Sequence, residues 1–205
     1  RAGSYTSHVG HVRLLYDRDL ARVTEVEGFV VAAARLPLAD VEVAAIVAGW
    51  EARVAEQVDV TIGQTQRTWS TAHMYHLVEQ ILKTESGTDF GFYNEGGIRN
   101  HLFEGSITAR HLWNIFPFGN RLAIAHILGK NIGGQLASRL QTLQTQIDPD
   151  RLYSVATNAF VVEAARRTQM LGTTESVDLA EVLIRDVVID FIKSHQQLDT
   201  YFYGR

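Results

Sequence analysis

A chain of 205 residues with 46% hydrophobic and 20% charged content can bury a sizeable core and has a globular rather than a disordered composition. Nineteen Lys and Arg against 23 Asp and Glu give a net charge of −4, which speaks against a general nucleic-acid binder, because counterion release needs a basic face. The lack of cysteine excludes disulfides, thiolate metal ligands and a cysteine nucleophile, and no apolar run approaches the ~20 residues of a membrane span.

In chain order, Arg1-Ala2-Gly3-Ser4-Tyr5 has neither an initiator Met nor a signal peptide and reads as a cut end. His11 to Tyr16 and Ala21 to Ala34 read as the strands of a hairpin turned at Asp17-Arg18-Asp19 and stopped by Pro37. Asp40 caps a helix whose Val43, Ile46, Val47, Trp50, Val54 and Val58 keep a 3.6-residue spacing, a linker or packing helix. A strand over Val58 to Gly63 follows. Ser70 or Thr71 then opens a helix with Met74, Leu77, Val78, Ile81 and Leu82 inward and Gly87 past its end.

Asp89 to Tyr93 reads as a strand running into a Gly-Gly turn. Thr108 caps a short helix through Leu112 and Ile115, which Pro117 ends. Leu122 to Leu128 and Arg151 to Thr157 read as strands. Ile132 to Leu143 reads as a helix with Ile132, Leu136, Leu140 and Leu143 inward, and a last long helix near Val177 to His195 buries Leu179, Leu183, Val187 and Phe191. Strands and helices mix without a regular βαβ repeat, which indicates an α+β fold.

Eight of the 16 glycines fall between Gly91 and Gly134. Between Asn94 and Leu140 five basic residues face two acidic ones, so this segment is +3 and the rest of the chain −7. An anion is drawn here first. Within it, Tyr93-Asn94-Glu95-Gly96-Gly97-Ile98-Arg99 sets an amide and a guanidinium on a turn where backbone donors can approach a ligand. Ile115-Phe116-Pro117-Phe118-Gly119-Asn120 holds an aromatic ring on a rigid loop, suited to stacking on a planar base, although a loop Phe also packs locally. His8 with His11 and His73 with His76 lie three apart without an acidic partner beside them and read as surface or packing histidines. Ser70 and Ser106 have no evident His-Asp partners for hydrolase chemistry.

Asn94 to Arg99, then Gly105-Ser106-Ile107-Thr108, Pro117 to Asn120, Ile127-Leu128-Gly129-Lys130, and Tyr153 to Phe160 occur in an order that resembles the C-terminal, substrate-specificity domain of the 5'-nucleotidase, UDP-sugar hydrolase and 2',3'-cyclic phosphodiesterase family. The resemblance extends to a closing helix that ends at Gly204-Arg205, and upstream Ala2-Gly3-Ser4-Tyr5 through Val12 to Asp17 resembles the last strands of that family's catalytic domain. The resemblance implies a layered mixed-sheet domain flanked by helices over residues 58–205, a linker helix over 39–57, and over 1–38 a β-hairpin remnant of an otherwise missing metallophosphatase domain.

It further implies that Phe118 and Phe160 sandwich a base, Asn94 hydrogen-bonds it, Arg99 contacts phosphate, and Gly96, Gly97 and Asn120 complete the site. The partners expected are a nucleotide or nucleoside and the missing N-terminal domain, with no nucleic acid. Two divalent metals belong to that missing domain and none to this chain, so hydrolysis by the chain alone is not expected. The family setting is periplasmic, extracellular or cell-surface. A degenerate, non-catalytic relative that binds a ligand or a protein is the alternative.

Three positions depart from the family pattern. Ser70 stands where a second phosphate arginine is expected, with Arg67 nearby. Glu163-Ala164-Ala165-Arg166-Arg167 replaces a glycine loop whose Asp holds ribose, and Ala-Ala favours helix there. Only Gln144 to Asp150 bridge a helix and a strand between which the family has further strands.

Overall fold

The computed structural model describes residues 7–36 and 40–199, and these divide into two units, residues 1–52 and 53–205. Ala2 to Tyr5, Pro37 and Gly204-Arg205 lie outside the described residues.

In the first unit, β1 (His8–Asp17) and β2 (Arg22–Ala32) pair antiparallel, with a bulge between Leu15 and Tyr16. Asp17 makes the turn by accepting the backbone N–H of Asp19 and of Leu20. Val and Phe line the ribbon on both faces, and Val12, Val26 and Phe29 are half-exposed or more. Asp40 starts α1 (Val41–Val58) as its capping spacing predicts, accepting from the N–H of Glu42 and Val43. The division between units falls inside this helix. No residue of α1 is buried, and its apolar stripe of Val43, Ile46, Val47 and Trp50 is exposed.

In the second unit the helix runs through Val58, and the strand expected over Val58 to Gly63 is β3 (Thr61–Thr65) instead. It pairs with β5 (Gly105–Thr108), a four-residue strand not foreseen from the sequence. Between them, α2 (Thr71–Ser86) has Ser70 as N-cap, left-handed Gly87 as C-cap, and Met74, Leu77, Val78, Ile81 and Leu82 buried, as its stripe predicts. The strand expected over Asp89 to Tyr93 shortens to β4 (Phe90–Gly91). Thr108 caps α3 (Ala109–Ile115) in a reciprocal box with His111.

The main sheet has the order β4-β7-β6-β8, built from β6 (Arg121–Leu128), β7 (Leu152–Asn158) and β8 (Ser176–Leu183). β4 runs parallel to β7, while β7 and β8 flank β6 antiparallel. The long helix expected over Val177 to His195 is thus a strand followed by α7 (Ile184–His195). Leu179 is half-exposed, opposite Ala123 on β6, rather than buried in a helix. The expected helix over Ile132 to Leu143 is α4 (Gly134–Thr142): Leu136 and Leu140 are buried, Ile132 bridges Gly172, and Leu143 is exposed.

Two apolar clusters form. One gathers the stripes of α2, α3 and α7 with Leu122 and Ala156; the other gathers Ala123, Ala125, Ile127 and Val155 with Leu136 and Leu140 of α4 and Val161 of α5 (Ala159–Val162). Neighbouring residues of β6 and β7 enter different clusters, as side chains alternate across a pleated strand. Residues 164 onward form α6 (Ala164–Met170), the helix that Ala-Ala favours. The result is the α+β arrangement expected, a mixed sheet flanked by helices.

Candidate functional site

The turn after β4 is fixed from three sides. Phe92 donates its N–H to Ala156 O at 2.9 Å, Tyr93 donates to Glu79 Oε1 at 2.9 Å, and Arg99 donates to Ile115 O at 2.9 Å. Inside it, Gly97 N–H bonds Asn94 O at 3.2 Å and Gly96 N–H donates to the Tyr75 hydroxyl at 2.7 Å. Both glycines are needed. Gly96 has φ +83, and a Cβ on Gly97 would meet the Tyr93 ring at 2.5 Å.

Asn94 is 5% exposed, and both ends of its amide are used within the protein. Oδ1 accepts from Asn158 Nδ2 at 2.9 Å and Nδ2 donates to Glu95 O at 3.2 Å. Asn158 in turn caps α5 by accepting Val161 N–H, so the turn is tied to the helix that carries Phe160. The Arg99 guanidinium donates to Gly96 O at 3.2 Å and stands 5.9 Å from the centroid of Phe118, which is 44% exposed.

The Phe118 loop hangs between two anchors. Phe116 is buried and meets Tyr93 edge-on at 5.9 Å, and Asn120 O accepts from Ile184 N–H at 2.9 Å. The side chain of Asn120 hydrogen-bonds the Tyr93 hydroxyl, whose pKa burial pushes well above the usual tyrosine value. Phe160, half-buried, lies under the Arg166 guanidinium at 3.9 Å, and Arg166 also pairs with Glu163.

The structure therefore brings Asn94, Gly96, Gly97, Arg99 and Phe118 together on adjoining loops and links Phe160 to them through Asn158. Phe118 and Phe160 each face an arginine and, among the described residues, are not in ring contact with each other. Ser70 serves as a helix cap, accepting His73 N–H at 3.3 Å. Arg67 stacks 4.1 Å over Trp69 and pairs with Asp199 at 3.5 Å. Among the described residues no group of three or more His, Asp or Glu could hold a metal ion.

Behind the turn is a cleft of about 420 Å³ between α2 and α4, lined among others by Tyr75, His76, Glu95, Ser138 and Arg139. At its floor Arg139 pairs with Glu79, a carboxyl that burial pushes up to about 7 despite the Tyr93 N–H and Arg139 that favour its charge. Sequence reasoning did not single out this pair. The signal was a carboxylate embedded in the apolar stripe of α2, where a charge needs a partner.

A family model described as "5'-nucleotidase, C-terminal domain" matches residues 47–145. Over 105 residues the chain is 31% identical to the "silent protein UshA(0)" of Salmonella typhimurium, covering 51% of this chain but only 18% of that protein. A 5'-nucleotidase precursor from Thermus thermophilus aligns in three dimensions with a TM-score of 0.68 at 14% identity, over 93% of this chain and 48% of that one. The sulfate thiohydrolase SoxB, also of Thermus thermophilus, aligns with a TM-score of 0.58 at 13% identity, over 93% and 42%. The chain thus spans under a fifth of that curated relative and about half of these solved chains.

Proposed function

Because the chain carries the C-terminal domain of the 5'-nucleotidase family, matched over residues 47–145, we propose that it binds a nucleotide or nucleoside as the specificity domain of a phosphoesterase. In this reading, hydrolysis of the phosphate ester belongs to a separate domain holding two divalent metals, and this chain supplies binding and orientation. The observation that carries it is the Arg99–Phe118 assembly, a guanidinium beside a half-exposed ring on two rigid loops of a positively charged segment. A planar base finds a stacking face there and a phosphate finds a cation.

Calorimetric titration with AMP and adenosine tests this reading. Phe118→Ala is expected to weaken AMP binding by about 1–3 kcal/mol, the range for base–aromatic stacking. Absence of AMP binding by the parent chain, or equal affinity of the variant, overturns it.

A second reading, a non-catalytic module for another ligand or for a protein, is favoured by one observation. Arg166 covers the Phe160 ring, so the second stacking face is already occupied by a side chain. Under that reading the chain fails to bind AMP and adenosine alike.

A further inference from the structure

Arg185, the second residue of α7, is a charged side chain with 5% exposure, in a place where the sequence pattern gave no reason for a cation. Its guanidinium lies 3.3 Å over the Trp113 ring, and Nη1 donates to the carbonyl of Phe116 at 3.2 Å. Nε is buried without a hydrogen-bond partner, and its nearest opposite charge, Asp186, is 3.9 Å away. A methionine or leucine would fill such a place without the cost of burying a charge, so packing alone does not account for an arginine here.

What it holds is the root of the aromatic loop. Phe116 O accepts from Arg185, and Asn120 O accepts from Ile184 N–H, so two successive residues at the β8–α7 junction grip both ends of Pro117-Phe118-Gly119. Among the described residues, Phe118 and Gly119 donate no hydrogen bond to another backbone group. The pose of the Phe118 ring is therefore decided at its two ends. Trp113, on the helix that leads into the loop, keeps the guanidinium flat and aimed at the carbonyl.

We propose that Arg185 is a positioning residue that presents Phe118 to the ligand by fixing the Phe116 carbonyl. Its functional half rests on the nucleotide reading; its structural half does not. The test uses ¹⁵N relaxation and AMP titration on the full chain with Arg185→Met, Arg185→Lys and Trp113→Leu.

In Arg185→Met the backbone order parameters of Phe118 and Gly119 fall from about 0.85 to below about 0.6, the values of rigid and flexible backbone, while those of β6 and α7 stay unchanged. Arg185→Lys, which keeps a donor and a charge, restores most of that order. AMP affinity falls about tenfold with Met and less with Lys. Unchanged loop order in folded Arg185→Met overturns the proposal. If that variant does not fold, Trp113→Leu, which releases the guanidinium from a half-exposed ring, decides by the same loop measurement. A parent chain that fails to bind AMP removes the nucleotide reading and leaves the relaxation result to decide the role of Arg185. Loop loosening with unchanged AMP affinity overturns the functional half.

Discussion

At pH 8, Arg139→Met lowers the free energy of unfolding by about 2 kcal/mol: about 1 kcal/mol of packing and hydrogen bonding, and about as much again because the unpaired, buried Glu79 must take up a proton. Glu79 has a side chain 7% exposed and Arg139 one 20% exposed, so the carboxylate left behind has little access to water. The loss depends on pH. Burial has already moved Glu79 from the usual value near 4.5 up to about 7, so at pH 5 the folded protein holds Glu79 protonated. Losing Arg139 there removes only packing and one hydrogen bond, worth about 1 kcal/mol. Urea denaturation at the two pH values measures the difference, and equal losses at both would show that the pair is not what Arg139 serves.

The same group gives the parent a slope. Between pH 4.5 and 7 the folded state binds more protons at Glu79 than the unfolded state does, so stability is fully present below that window and declines as pH rises through it. The decline is about 3 kcal/mol on the shift of Glu79 alone. Glu79→Gln flattens it, read from denaturation midpoints across the window.

Gly91→Ala is the second large effect. A Cβ there would stand 1.9 Å from the carbonyl oxygen of Glu79 and 2.7 Å from its carbonyl carbon. The obstacle is helix backbone, which cannot rotate aside, so α2 and β4 must move apart. Overpacking of this kind costs about 1–3 kcal/mol, and the upper end is expected because the obstacle is main chain. The movement is passed to Tyr93 and Asn94, two and three residues on, so under the proposed nucleotide reading AMP affinity falls with stability. Gly119→Ala is the control: no atom lies within 4 Å of its added Cβ, and its stability stays within about 0.5 kcal/mol of the parent. A Gly91→Ala protein as stable as the control would mean that the contact between strand and helix is loose.

The parts of the fold that were legible in the sequence are those whose signals are local. Ser70 and Gly87 bracket α2, and Thr108 and Pro117 bracket α3, because caps and breakers act on their own few residues. The turn at Gly96-Gly97 and the loop at Pro117 were legible for the same reason. Ser176–Leu183 was not: Leu179, Leu183, Val187 and Phe191 keep helical spacing, yet Val177 and Leu179 pair with Ala125 and Ala123 on β6. Partners more than 50 residues away decided the matter, and periodicity does not report them. Ile132 escaped α4 because Gly133 and Gly134 follow it, with Gly134 at φ +56.

Within the candidate site, residue types were legible and their commitments were not. Nothing in the motif says that Asn94 spends its amide on Asn158 and Glu95, that Asn120 turns to Tyr93, or that Arg166 lies over Phe160. Those are choices among neighbours from distant segments. The Glu79–Arg139 pair is of the same kind, joining residues 60 apart.

That separation carries an entropic cost. Asn94 meets Asn158 across 64 residues, and Asp89 meets Ser154 across 65, so these two anchors bring long stretches of chain together at a cost in loop-closure entropy. Under the proposed nucleotide reading, a ligand held only by the folded turn adds its binding free energy to the stability of these long-range closures.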